Sequence, residues 1–111
     1  MRLTWELPGG RYLRLPSAGE LLQARREAAA LTREPGERPL CSNACLVARC
    51  LWAGDRPVFE SGAQVLGELT AEEIGELAAR WDSFRRNAGA QEQVEQGFNP
   101  NFDSSRMGGG A

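Results

Sequence analysis

The sequence predicts an α+β fold that is mostly helical, with an N-terminal β-hairpin packed on a small bundle of about four helical segments. Three observations predict it. Residues 3–15 alternate apolar and polar side chains on either side of a turn. Residues 17–89 carry apolar side chains at helical spacing, separated by capping residues and prolines. Residues 90–111 are too polar to pack, so we expect a compact domain over 1–89 and a flexible tail over 90–111.

The hairpin is predicted from alternation around a strong turn signal. Leu3, Trp5 and Leu7 fall on one face, Pro8-Gly9-Gly10 makes the turn, and residues 11–15 resume the alternation. A two-stranded hairpin is barely stable in water. We therefore expect its apolar face to lie on helices, or its edge to join another strand.

The first helix is predicted from a capping box formed by Ser17 and Glu20, and it runs to about Thr32. Its apolar stripe contains Leu21, Ala24, Ala28 and Leu31, and its opposite face holds Gln23, Arg26 and Glu27. Residues 34–39 contain two prolines and a glycine, so we expect a linker without regular structure.

The second helix is predicted from about Ser42 to Ala53, with Gly54 as the residue that ends it. It is apolar on nearly all sides, and such a helix is either central to the fold or buried at an oligomer interface. We assign Leu46, Cys50 and Trp52 to self-association on this ground and expect a homo-oligomer.

The last two helices are predicted from further caps. Asp55-Arg56-Pro57 is predicted as a turn and Val58-Phe59 as a short extended piece, after which Ser61 caps a third helix. Thr70 and Glu73 form a second capping box. The helix that it opens ends at about residues 87–89 and carries a core stripe of Ile74, Leu77, Ala78, Trp81 and Phe84.

The composition excludes most enzyme chemistry. The chain has no histidine and its 13 basic residues are all arginine, which removes the usual neutral-pH proton shuttle, lysine Schiff bases and imidazole zinc sites. Glu72, Glu73 and Glu76 lie at a helix start and on its solvated side. The three cysteines, Cys41, Cys45 and Cys50, lack a fourth ligand and fit a reduced core. We expect no enzymatic activity, no metal and no cofactor.

Charge and hydropathy give little sign of a nucleic acid or membrane partner. The net charge is −2, no basic block is present, and no apolar run approaches the roughly 20 residues that span a bilayer. Arginines on the first and last helices fit ion pairs with nearby glutamates better than a DNA-binding strip. The first residues lack the apolar run of a signal peptide, so we expect a cytoplasmic protein.

The predicted tail contains one compact candidate motif. Phe98, Asn99, Pro100 and Phe102 place two aromatic anchors around a proline-stiffened turn, a pattern typical of segments that fold on a partner. We assign these four residues to partner binding. The alternative is an inert tail with two incidental aromatic residues.

Three strings of residues carry a family resemblance: Asn43-Ala44-Cys45-Leu46-Val47-Ala48-Arg49-Cys50-Leu51, Arg56-Pro57-Val58-Phe59-Glu60-Ser61 and Leu69-Thr70-Ala71-Glu72-Glu73-Ile74. With the layout of residues 1–87, they resemble the tail assembly chaperones of long-tailed bacteriophages and prophages. The resemblance implies a small helical protein without enzymatic activity that self-associates and coats the tape measure protein before tail tube subunits polymerise around it.

The same resemblance implies action in the host bacterial cytoplasm and absence from the mature virion. Two other functions remain open from the sequence. One is a structural phage component retained in the particle, such as a head–tail connector or neck adaptor. The other is a small DNA-binding regulator.

Overall fold

A computed structural model describes residues 4–96, and it describes side chains for residues 4–87. The fold is α+β and mostly helical, which confirms the predicted class. Over the described residues, the four strands of one antiparallel sheet alternate in pairs with four α-helices, and one turn of 3₁₀ helix lies between the first two helices. The order is β1 (Thr4–Glu6), β2 (Arg11–Arg14), α1 (Ala18–Leu31), the 3₁₀ turn (Pro35–Glu37), α2 (Arg38–Cys50), β3 (Leu51–Ala53), β4 (Arg56–Pro57), α3 (Gly62–Glu68) and α4 (Ala71–Gln96).

The predicted hairpin forms, and it is half of a larger sheet. The four strands pair in the order β1-β2-β3-β4, all antiparallel. Gly9 and Gly10 both have positive φ, which the turn after β1 requires and glycine adopts without strain. Leu13 lies opposite Trp5 on one side and Leu51 on the other, and it is 1% exposed. The added strands and the helices beneath them supply the support that an isolated hairpin lacks.

The predicted start of the second helix is wrong. Helix α2 begins at Arg38, inside the segment predicted as a linker, and a 3₁₀ turn precedes it. Pro39 lies in the first turn of α2 and Pro35 opens the 3₁₀ turn. Proline is well tolerated there because the first N–H groups of a helix have no partner within the helix.

The predicted end of the second helix is also wrong. Helix α2 ends at Cys50, and Leu51–Ala53 is strand β3. Gly54, with φ of 64°, lies in the tight turn between β3 and β4 and does not end the helix. Residues 56–57, predicted as part of a turn, are strand β4. A short apolar run does not distinguish helix from strand, and here pairing with β2 decides.

Helix α2 is central to the fold, which is one of its two predicted placements, because α1, α3 and α4 all pack against it. Its cysteine, alanine and valine side chains are buried within this one chain. The apolar character of α2 therefore does not require a second copy to cover it. The homo-oligomer stays a prediction that depends on the family resemblance.

The predicted helix caps are confirmed. The Ser17–Glu20 and Thr70–Glu73 pairs each make both reciprocal hydrogen bonds, and Ser61 Oγ accepts from the Gln64 N–H at 3.1 Å. The predicted end of the last helix is wrong: α4 continues through residues 87–89 to Gln96. One glycine costs a helix only about 1 kcal/mol, and the neighbouring alanines and glutamines favour it.

Residues 90–96 of the predicted tail are thus helical. The predicted binding motif at 98–102 lies outside the described residues. Within residues 4–96, no helix combines the length and apolar character needed to cross a membrane.

Candidate protein-binding groove

An open groove of about 480 Å³ lies on the helical side of the protein. Helices α1 and α4 form its walls, and α2, on which both pack, forms its floor. We call it the α1–α2–α4 groove and define it by its eight lining residues: Leu21, Ala24, Arg25, Ser42, Asn43, Leu46, Trp81 and Arg85.

The inner surface of the groove is mostly apolar. Leu21 and Leu46 are half-buried, and Trp81 is 7% exposed. The indole N–H of Trp81 donates to the Arg14 carbonyl oxygen at 3.1 Å. This bond satisfies the polar atom of the ring inside the protein and ties α4 to the sheet. Ser42 and Asn43 add short polar groups at the α2 end of the floor.

The rim of the groove is positively charged. Arg85 contacts the Asp82 carboxylate and lies over the Trp81 ring, with 5.6 Å from its guanidinium carbon to the ring centroid. Arg86 pairs with the same carboxylate at 2.7 Å. The hydrogen bond from Arg85, against a smaller effect of burial, lowers the pKa of Asp82. Two guanidinium groups thus share one carboxylate, which leaves one positive charge uncompensated among the side chains of residues 4–87.

Arg25 supplies the second charge of the rim. It is exposed on α1, and among residues 4–87 no carboxylate lies within ion-pair distance of it. None of the eight lining residues is acidic. The described part of the groove therefore combines an apolar inner surface with a surplus of positive charge.

A half-buried carboxylate joins two of the helices that form the groove, α1 and α2, to each other and to α3. Glu27 on α1 accepts from Arg49 Nη1 on α2 at 2.7 Å and from the backbone N–H of Gly62 at the start of α3, also at 2.7 Å. Arg49 Nη1 also donates to the Cys45 carbonyl oxygen at 3.2 Å. Burial raises the pKa of Glu27, but the hydrogen bonds from Arg49 and Gly62 outweigh it and the pKa is lowered. One ionised side chain thus joins three helices.

A smaller cleft of about 210 Å³ lies between the sheet and the start of α1. The Arg14 guanidinium lies over the Trp52 ring, 4.5 Å from its centroid, and pairs with Glu20 at 2.6 Å. The hydrogen bond from Arg14, with a second from the Ser17 backbone, lowers the pKa of Glu20 to about 2. Arg14 and Glu20 thus bond to each other, and the cleft has less than half the volume of the groove.

The structure does not bring the predicted self-association residues together. Leu46 lies in the floor of the groove. Trp52 is half-buried beside the smaller cleft, where its indole N–H donates to the Arg49 carbonyl oxygen at 3.0 Å. Cys50 is 1% exposed and belongs to the core, so only Leu46 and Trp52 present surface to a partner. The predicted binding residues Phe98, Asn99, Pro100 and Phe102 lie outside the described part of the chain.

The cysteines are buried and free. Cys41 and Cys45 pack against α1, and Cys50 packs in the larger cluster with Leu51. Burial raises the pKa of both Cys45 and Cys50 to about 12. Over the residues that the structure describes, no group of three or more potential metal ligands lies together.

Comparison of the chain with protein-family models, with curated proteins and with solved structures finds no significant match. A function for this chain must therefore be inferred from its residues and its geometry. The groove was not predicted from the sequence, because Arg25 and Arg85 were assigned to separate helices and to ion pairs with nearby glutamates. The useful signal was that each arginine borders the apolar stripe of its helix.

Proposed function

We propose that this protein is a tail assembly chaperone of a long-tailed phage or prophage. It binds the tape measure protein and keeps it soluble until tail tube subunits polymerise around it. The observation that carries the proposal is the α1–α2–α4 groove, an open apolar surface bordered by arginine. Two residues of its floor, Asn43 and Leu46, belong to the string 43–51 that resembles this family.

The groove suits reversible binding of a long helical partner. Its lining side chains can cover a few apolar side chains at a time, which is far less area than a permanent interface buries. A chaperone that must be displaced by polymerising subunits benefits from weak contacts repeated along the partner. Phe98 and Phe102 would add a second contact, and self-association would place several grooves along one tape measure protein.

Coexpression tests the proposal. The longest tail-associated protein encoded in the same phage or prophage genome is produced in bacteria with and without this chain, and its soluble fraction is measured. We expect coexpression to move it from the pellet to the supernatant and the two proteins to purify together. A protein that stays insoluble and does not copurify would contradict the proposal.

The particle itself distinguishes the structural alternative. A chaperone acts in the bacterial cytoplasm before the tail closes, so we expect mass spectrometry of purified virions to find the tail tube subunit and the tape measure protein without this chain. Stoichiometric amounts of this chain in the virion would favour a connector or neck adaptor.

A further inference from the structure

We infer that the α1–α2–α4 groove binds an acidic amphipathic helix, whose apolar stripe lies on Leu21, Leu46 and Trp81 and whose carboxylates pair with Arg25 and Arg85. The proposed function requires the groove to bind a segment of the partner, and an acidic amphipathic helix is the chemistry of that segment. The identity of the partner rests on the proposed function. The groove can also be tested without that partner.

A helix fits the groove better than an extended peptide. All eight lining residues belong to α1, α2 or α4, and among residues 4–96 no strand edge borders the groove. The backbone groups beneath the lining side chains are paired within their own helices, so they cannot form a ladder with an added strand. A helix satisfies its own backbone hydrogen bonds and presents only side chains, as helix-in-groove complexes do.

The charge of the rim determines the chemistry of that helix. The Asp82 carboxylate is shared between Arg85 and Arg86, and within residues 4–87 Arg25 has no acidic neighbour. A bound helix with glutamates or aspartates on both sides of its stripe would supply the missing carboxylates. A helix with lysines there would bring like charges together, which disfavours binding.

The chain offers matched controls for both arginines. Arg26 on α1 and Arg80 on α4 are both exposed, outside the groove lining and not bonded to Asp82. The R25E/R85E and R26E/R80E variants change the net charge equally on the same two helices. A difference between them in binding therefore reports the groove and not the overall charge.

The probes are two synthetic peptides held helical by a side-chain cross-link, with one leucine stripe flanked by glutamates in the first and by lysines in the second. Binding to the full chain is measured by calorimetry at low salt. An exposed ion pair changes a binding constant by about 1.5-fold to fivefold, and reversal replaces attraction with repulsion. We expect R25E/R85E to bind the glutamate peptide about tenfold more weakly than R26E/R80E does, and to bind the lysine peptide more tightly than R26E/R80E does.

Three results of the peptide experiment would overturn the inference. In the first, the two variants bind the glutamate peptide with equal affinity. In the second, the wild-type chain binds the lysine peptide more tightly than the glutamate peptide, and in the third it binds neither. Loss of a solution oligomer in R25E/R85E but not in R26E/R80E would mean that a second copy of the chain occupies the groove, and would overturn the inference as well. Circular dichroism of both variants verifies that each is folded.

Coexpression with the tape measure protein separates this inference from the proposed function. If the wild-type chain does not solubilise that protein, the function fails while the peptide result stands. If the wild-type chain and R25E/R85E solubilise it equally, the function stands and the acidic-helix inference fails.

Discussion

Replacing Gly62 with alanine is expected to destabilise the protein because the start of α3 lies directly on α2. A Cβ atom at this position would lie 2.4 Å from Cys45 Sγ, 3.0 Å from Cys45 Cα and 3.2 Å from Cys45 N. A rotation of the Cys45 side chain would relieve only the first contact, because the other two atoms are backbone. Helix α3 must therefore move away from α2.

The magnitude follows from two costs and one gain. Overpacking of a filled contact costs about 1–3 kcal/mol. Movement of α3 also lengthens the 2.7 Å bond from the Gly62 N–H to Glu27, and a hydrogen bond to a charged group contributes about 1.5–3 kcal/mol. Alanine restricts the unfolded chain and returns about 0.4–1 kcal/mol. We expect a net loss of about 2–4 kcal/mol in the free energy of unfolding.

Urea denaturation followed by circular dichroism measures this loss. Gly75 on α4 is the matched control, because a Cβ atom there meets nothing within 4 Å. We expect Gly75→Ala to be neutral or to stabilise by up to about 1 kcal/mol. The C45A/G62A double variant lacks the sulfur atom, so its loss in the free energy of unfolding should be smaller than the sum of the losses in Cys45→Ala and Gly62→Ala. Equal stability of the Gly62→Ala and Gly75→Ala proteins would refute the packing account.

Three further predictions concern acid stability, thiol reactivity and the tail. The folded protein lowers the pKa of Glu27 below its ordinary value of 4.5, so the ionised carboxylate stabilises the fold above pH 4.5. This stabilisation is lost as the pH falls through the lowered pKa, and the free energy of unfolding in urea should therefore depend less on pH in Glu27→Gln. Cys45 and Cys50, with pKa values of about 12, should react with Ellman's reagent at pH about 8 only after denaturation, and rapid native reaction would contradict their burial. The F98S/F102S variant should retain the wild-type unfolding midpoint and bind the tape measure protein more weakly, and a lowered midpoint would make these residues part of the core.

Local signals in the sequence predicted much of the fold. The Ser17–Glu20 and Thr70–Glu73 boxes fixed two helix starts, since each motif satisfies its own backbone groups without help from distant residues. The turn at residues 8–10 fixed the hairpin for a similar reason. The errors at residues 38–57 came from prolines that a helix start tolerates and from an apolar run that became a strand by pairing with β2.

The candidate site could not be predicted from local signals in the sequence. Glu27 was predicted on the face of the first helix opposite its apolar stripe, yet it accepts bonds from Arg49 and from Gly62, which is 35 residues away in the sequence. The groove forms because two helices lie on either side of a third. Neither relation has a local sequence signal, because both depend on how separate helices pack.

The most direct test of the central claim is hydrogen–deuterium exchange of the full chain with and without the tape measure protein. The account predicts slower amide exchange in the segments that line the groove, residues 21–25 on α1 and 81–85 on α4, when the partner is bound. The sheet residues 11–14 should exchange at the same rate in both states. Unchanged exchange in both groove segments, with slowing confined to the sheet, would contradict the claim that this groove is the chaperone surface.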